Sequence, residues 1–256
     1  MDFDFSIFAT TGAWISLLTL AFLEVILGVD NIIFISLTAA KLPAKQQKRA
    51  RNLGLMIALL FRIGLLLSIT WIIGLVKPLF TLPLESVFVD MGLDHARDAA
   101  EVSGRDLILF MGGLFLLAKS TTEIHHKISG NEEGGKKKKA PSSFLQVLIQ
   151  IVLIDIVFSF DSILTAVGLT QHVLVMIFAV VIAMFIMMSF SGAVSRVIEE
   201  QPTLQILALA FLIMIGMTLI LESFDVHINK AFVYVAVAFS LGVEFLNIRF
   251  RKNEDE

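Results

Sequence analysis

Seven apolar runs, each close to the length needed to cross a bilayer, leave this chain few folds to choose from. They lie near Trp14–Thr38, Leu53–Val76, Leu107–Lys119, Phe144–Gly168, Val173–Phe190, Leu204–Leu221 and Ala231–Ile248; the third is short at its core and is expected to extend through Glu123. About 20 consecutive apolar residues carry a helix across hydrocarbon. A helix also satisfies its own backbone hydrogen bonds there, which an open strand cannot. No alternating strand pattern runs through the chain. Charged residues make up 17%, against roughly a quarter in soluble domains. The predicted class is therefore all-α: a polytopic membrane protein with seven transmembrane helices. The first run is read as a lasting span and not a cleaved signal. Met1–Ser6 is acidic, where a signal peptide begins basic, and Glu24 and Asp30 interrupt the apolar run.

The loops sort by basic charge. Lys41, Lys45, Lys48, Arg49 and Arg51 in the first connection, Lys119, Lys127 and Lys136–Lys139 in the third, Arg196 in the fifth, and Arg249, Arg251 and Lys252 in the tail all fall on one side if there are seven spans. The other side holds Lys77, Arg97, Arg105 and Lys230. By the positive-inside rule the N-terminus is expected outside and the C-terminus in the cytoplasm. Leu82–Asp106 is then an outer loop rich in acids, expected to form a short surface helix or to gather cations weakly. Ser129–Ser143, SGNEEGGKKKKAPSS, reads as a flexible linker. Its lysine run serves orientation and solvation, with binding of anionic lipid heads as the sharper alternative.

Several classes drop out. A net charge of −3 gives no bulk attraction to nucleic acid. The absence of cysteine removes disulfides, thiolate metal sites and cysteine nucleophiles together. No nucleophile–base pair, phosphate-binding glycine loop or His-x-x-x-His zinc motif is present, so an enzyme is not expected.

The chain repeats itself. Glu24-Val-Ile-Leu-Gly-Val-Asp30-Asn31-Ile32 in the first span matches Asp155-Ile-Val-Phe-Ser-Phe-Asp161-Ser162-Ile163 in the fourth. More weakly, Glu123-Ile-His125 matches Asp225-Val-His227. Residues 1–256 are read as a single membrane domain: repeat one about 14–128, linker 129–143, repeat two about 144–228 and a final helix about 231–248. A three-helix half forces its second copy to insert upside down, and inverted repeats with a site at the midplane are a recurrent transporter plan.

Helix geometry places the candidates. Positions seven apart share nearly one face, so Glu24 and Asn31 lie together with Gly28 between them, and Asp155 and Ser162 with Ser159 between them. Asp30 and Asp161 sit about 120° away. Either Gly28 permits local unwinding that lets Glu24 and Asp30 converge, or one acid coordinates an ion while the other holds a proton or an arginine.

A carboxylate at mid-span costs about 2.5–3.5 kcal/mol on insertion scales. Arg62 can neutralise one, a divalent cation two more, and protonation the rest. The blander alternative is a salt-bridge and hydrogen-bond network that only holds helices together; recurrence of the acids in both halves argues against it. Carboxylate, Asn and Ser oxygens suit Mg, Ca and Mn. The reading is a transporter of a divalent metal ion, with metal ligands Glu24, Asp30, Asn31, Asp155, Asp161 and Ser162 and the ion as cargo, not as a resident cofactor. Ser240, Glu244 and Asn247 form a further polar stripe in the last span. Glu222 and the histidines 125, 126 and 227 lie near membrane edges, and Gly112, Gly113 and Gly216 suit close helix approach.

The segments LEVILGVDNIIFISL, LIDIVFSFDSILTAVGL and FSLGVEFLN, with the basic loop Lys41–Arg51, resemble the TerC family of bacterial integral membrane proteins, from about Trp14 to Asn247. The chain is most similar to the compact subgroup without appended soluble domains. The family is related in fold to LysE-type exporters. Several members are manganese exporters, and some are thought to supply manganese to exported enzymes near the secretion machinery. The resemblance implies seven helices in two inverted three-helix repeats plus one. It implies export of Mn(II) across the inner membrane by alternating access, with proton exchange as an option. Its acids carry over onto Glu24, Asp30, Asp155 and Asp161, with Asn31 and Ser162 beside them, and Glu244 and Asn247 match the final-span motif. Expected partners are the metal ion, membrane lipids and the secretion machinery. The competing readings are a transporter of Ca(II) or an organic amine, and a membrane assembly or stress-resistance factor without transport.

Overall fold

The computed structural model describes residues 5–68, 73–83, 89–90, 100–129, 143–226 and 228–254. A 3-10 turn (Phe5–Ala9) precedes α1 (Thr11–Leu27), α2 (Val29–Ala39) and α3 (Ala44–Leu67). Two short strands follow, β1 (Pro78–Thr81) and β2 (Glu101–Ser103). Then come α4 (Gly104–Ser129), α5 (Phe144–Leu169), α6 (Val173–Glu200), α7 (Pro202–Glu222) and α8 (Lys230–Glu254). With α1 and α2 taken as one run, seven helices are long and apolar enough to cross a membrane. The all-α polytopic class holds, with every expected span present.

The ends of these helices depart from hydropathy in instructive ways. Thr10 caps α1 by accepting from the Ala13 N–H. Ser143 stands before α5 and donates its N–H to Gln146 Oε1, 3.2 Å away, and Pro202 opens α7, where its missing N–H costs nothing. α3 stops at Leu67, short of the expected Val76: the Ser68 N–H closes onto the Gly64 and Leu65 carbonyls as its backbone leaves the helical region. α6 runs ten residues beyond Phe190 to Glu200. Polar residues end its apolar run, yet Ser191 and Ser195 stay buried. Ser195 Oγ donates to Ser36 Oγ at 2.7 Å, so the hydroxyls are satisfied inside and the helix continues.

Gly28 marks a one-residue interruption between α1 and α2 without unwinding. Its backbone stays helical (φ −86, ψ −6), its N–H still reaches the Glu24 carbonyl at 2.9 Å, and its carbonyl accepts from Ile32 at 3.1 Å. Of the two alternatives for this helix, local unwinding at Gly28 is not what the structure has; the glycine serves close packing, since a Cβ here would collide with the Met187 thioether and come within 2.8 Å of the Glu24 carbonyl oxygen.

Two short strands bracketing the acidic stretch pair antiparallel, Phe80 opposite Val102 and Thr81 opposite Glu101. Residues 84–88 and 91–99 lie outside the described residues, as do linker residues 130–142, His227 and the side chain of Asp161.

The chain divides into two compact units. One comprises Met1–Gly74 and Lys138–Glu199, the other Leu75–Lys137 and Glu200–Glu256. Each draws helices from both halves of the sequence. The first unit contains α1, α2, α3, α5 and α6, and its core packs Ile32, Ile35, Leu55, Ala58, Ile151, Ala183, Met184 and Met187. Gly54 brings α3 close to α5, because a Cβ there would stand 2.7 Å from Ile151 Cγ2.

The second unit contains β1, β2, α4, α7 and α8. Its helices α4 and α7 meet backbone to backbone: a Cβ on Gly113 would stand 2.6 Å from the Gly216 carbonyl oxygen, and one on Gly216 2.9 Å from that of Gly113. Small residues let helices approach this closely where lipid supplies no hydrophobic drive between them. The start of α4 is fixed by a reciprocal cap. Asp106 Oδ2 accepts from the Ser103 N–H (2.8 Å) and hydroxyl (2.6 Å), while Ser103 Oγ accepts from the Asp106 N–H at 3.2 Å.

Candidate functional site

The matched motifs of the first and fourth spans meet inside the first unit. Glu24 on α1 and Asp155 on α5 each sit near the middle of their span, 4% and 2% exposed, and Arg62 of α3 lies between them at 2%. Arg62 Nη1 donates to Glu24 Oε2 at 2.5 Å. Its other edge forks onto Asp155, Nη2 to Oδ1 at 2.9 Å and Nε to Oδ2 at 3.2 Å. Asn31 Nδ2 adds a third donor to Asp155 Oδ1 at 3.2 Å. Ser159 Oγ bonds the Asp155 carbonyl oxygen at 2.5 Å and lies 3.1 Å from Oδ2. Ser162, also buried, donates to the Ser159 carbonyl oxygen at 3.2 Å.

This centre follows from helix geometry. Glu24 and Asn31, seven residues apart, both bury and both turn toward the Arg62–Asp155 pair. Asp30, expected off that face, is half-buried. A planar guanidinium offers two parallel N–H vectors to a carboxylate, which a lysine cannot do. Arg62 therefore does more than balance charge: it ties α1, α3 and α5 into one ionic cluster. The sequence signal for that role was an arginine inside an apolar span, where an ionisable residue implies a buried partner.

Two acids and one arginine leave a formal charge of −1 on the centre. Asp155 Oδ1 accepts from Arg62 and Asn31 and Oδ2 from Arg62, while the single Ser159 hydroxyl proton is given to the Asp155 carbonyl oxygen. Glu24 is bonded through Oε2. Asn31 Oδ1, fully buried, has no hydrogen-bond partner, and a carbonyl-type oxygen in that state is a fitting ligand for a hard cation. Among the described residues, however, no group of three or more His, Cys, Asp or Glu side chains stands ready to hold a metal. The carboxylates brought together so far hold an arginine, which is the helix-holding network raised as the blander alternative above.

Glu244 and Asn247 belong to the second unit. Glu244 accepts a short hydrogen bond from the Thr203 hydroxyl through Oε1, and Asn247 Nδ2 lies 3.4 Å from its Oε2. Their partners are thus an α7 hydroxyl and each other. His125 is near Ser129 Oγ (3.4 Å) at the exposed end of α4.

Seven helices long and apolar enough to cross a membrane, with a buried carboxylate–guanidinium centre inside the first unit, define an integral membrane protein. Residues 9–256 match the integral membrane protein TerC family, and the chain belongs to that family. The UPF0053 inner membrane protein YgdQ of Escherichia coli (strain K12) is 49% identical over 243 residues, covering 94% of this chain and 95% of that protein. A UPF0053 protein of Haemophilus influenzae is 48% identical over 244 residues, 95% of this chain and 97% of its own length. The UPF0053 inner membrane protein YoaE of E. coli K12 is 44% identical over 240 residues, which are 94% of this chain and 43% of that longer protein. No solved structure matches the chain.

Proposed function

We propose that this protein is an inner-membrane exporter of a divalent cation, Mn(II) first among the candidates, and that Arg62 fills the cation's place when no cargo is bound. The observation that carries this reading is the Arg62 guanidinium held between Glu24 and Asp155, acids from corresponding motif positions, beside the uncommitted oxygen of Asn31. Withdrawing one partner from a buried ion pair costs about 3–5 kcal/mol. Only another cation can take the guanidinium's place without that cost. A divalent ion between Glu24 and Asp155 would cancel their charge in full, and Asn31 Oδ1 would supply a neutral ligand.

One end of the unit offers an approach, where the start of α1 and the end of α5 line a cavity of about 560 Å3 that includes Thr10, Ser16, Thr170 and His172. Exchange of Arg62 for cargo is the event that would open the buried centre. In this reading the halves are mirrored, the N-terminus is outside, and Asp30 and Asp161 serve as further stations for the ion or for an exchanged proton.

Mn(II) flux into proteoliposomes, read with an enclosed metal-sensitive dye, tests the proposal. Wild type should carry the ion, and Asp155→Asn and Asp161→Asn should not. Calcium or an organic amine that competes equally would move the cargo assignment away from manganese. The three N–H donors held on the Asp155 carboxylate favour a second reading, a static clamp in a non-transporting protein. No flux in wild type, with variants losing stability alone, would establish the clamp.

A further inference from the structure

The cavity at the start of α3 and the end of α6 has an electrostatic character unlike that of the acidic centre. Lys48 and Arg51 reach it from α3 and Arg196 from α6, against the single carboxylate of Glu199. Lys48 and Arg196 are exposed. Arg51 is 9% exposed, and its Nη1 stands 4.0 Å from Glu199 Oε1, at the outer limit of an ion pair. The Arg51 Nε–H is fully buried and has no hydrogen-bond partner. An unmatched donor on a buried guanidinium is costly, and groups of this kind call for an acceptor.

The hydroxyls nearby are already committed. Ser195 donates to Ser36 Oγ, and Ser191 donates to the Met188 carbonyl. What is left for a ligand is mostly N–H donors with positive charge. That set repels a divalent cation and suits an oxyanion, whose oxygens accept from the flat edge of a guanidinium. The cavity also lies at the ends of two membrane-spanning helices. The same two helices expose apolar side chains along their length, Phe185, Phe190 and Val197 on α6 and Met56 and Leu60 on α3. A headgroup phosphate set in the cavity would leave its acyl chains to lie against such apolar helix surface.

We infer that Lys48, Arg51 and Arg196 form a phosphate-binding site that takes the headgroup of an anionic lipid. The inference is independent of the cargo proposal, since none of these residues belongs to the Arg62 centre.

The test uses the purified full chain in phosphatidylcholine nanodiscs, with and without phosphatidylglycerol, and native mass spectrometry of the lipid that stays bound. Phosphatidylglycerol should be retained over phosphatidylcholine. Lys48→Gln/Arg196→Gln, both at exposed positions that the fold tolerates, should weaken that preference about tenfold. Arg51→Gln should act in the same direction. Thermal unfolding with added sodium phosphate separates the two sources of the same chemistry. Protection by inorganic phosphate equal to that by phosphatidylglycerol, and lost in the double variant, supports the phosphate site with free phosphate as its occupant. Equal retention of the two lipids with no response to phosphate overturns the inference. So does a phosphatidylglycerol preference that survives unchanged in Lys48→Gln/Arg196→Gln.

Discussion

Arg62 grips Asp155 with two parallel hydrogen bonds, Nη2 to Oδ1 at 2.9 Å and Nε to Oδ2 at 3.2 Å, across 93 positions of sequence. The same guanidinium turns its remaining edge to Glu24. One side chain thus compensates two carboxylates that would otherwise be expensive inside a membrane, and three helices depend on it.

Arg62→Met should be strongly destabilising, by about 3–5 kcal/mol, because it leaves two buried carboxylates with no cation. Unfolding in detergent micelles measures the loss. The triple variant Glu24→Gln/Arg62→Met/Asp155→Asn should recover most of it, since an uncharged centre needs no compensation, and should carry no metal. A triple variant as unstable as Arg62→Met would show that packing, and not charge, sets the cost.

Arg62→Lys keeps the charge and loses the fork. An ammonium cannot reproduce the two parallel bonds to Asp155 and the third to Glu24 at once. Its stability should fall between wild type and Arg62→Met, about 1–3 kcal/mol below wild type. Wild-type stability in Arg62→Lys would mean that the planar geometry contributes nothing.

Asn31→Ala separates binding from stability. It removes one donor to Asp155 Oδ1, which Arg62 still bonds, and it removes an unsatisfied buried oxygen. These effects oppose each other, so unfolding should shift by under about 1 kcal/mol. Mn(II) affinity, measured by isothermal titration, should fall roughly tenfold, the loss of about 1.4 kcal/mol. Unchanged affinity would take Asn31 out of the cation site.

Gly113→Ala tests the helix contact in the second unit. The added methyl meets the Gly216 carbonyl, which is backbone and cannot swing aside, so α4 and α7 must separate at a cost of about 1–3 kcal/mol. Gly64→Ala in α3, where a Cβ meets nothing within 4 Å, should be neutral or stabilising by about 0.5–1 kcal/mol. Equal behaviour of the two variants in a thermal melt would remove close approach as the reason for glycine at 113.

Much of the candidate site was legible before the fold. The period of an α-helix put Glu24 and Asn31 on one face, and that is the face that buries. The arginine inside the third helix of the chain could be recognised as compensation for an acid, but not as the link between two of them. Hydropathy gave the α6 boundary ten residues early, because buried serines read as solvent-facing until Ser36 appears opposite Ser195. The strand pair that brackets the acidic stretch left no mark, since β1 and β2 are too short for alternation to register.

By itself the sequence determined the number of spans, their approximate limits, the membrane environment and the residues able to hold charge inside it. Each of these depends on the chemistry of a short stretch of chain, so a window of some twenty residues contains the cause. The tertiary structure alone decided that Arg62 joins Glu24 to Asp155, that Gly28 admits Met187 instead of unwinding, and that α3 and α6 enclose a basic cavity. Those outcomes depend on which helix faces meet, and packing brings together residues that no local pattern connects.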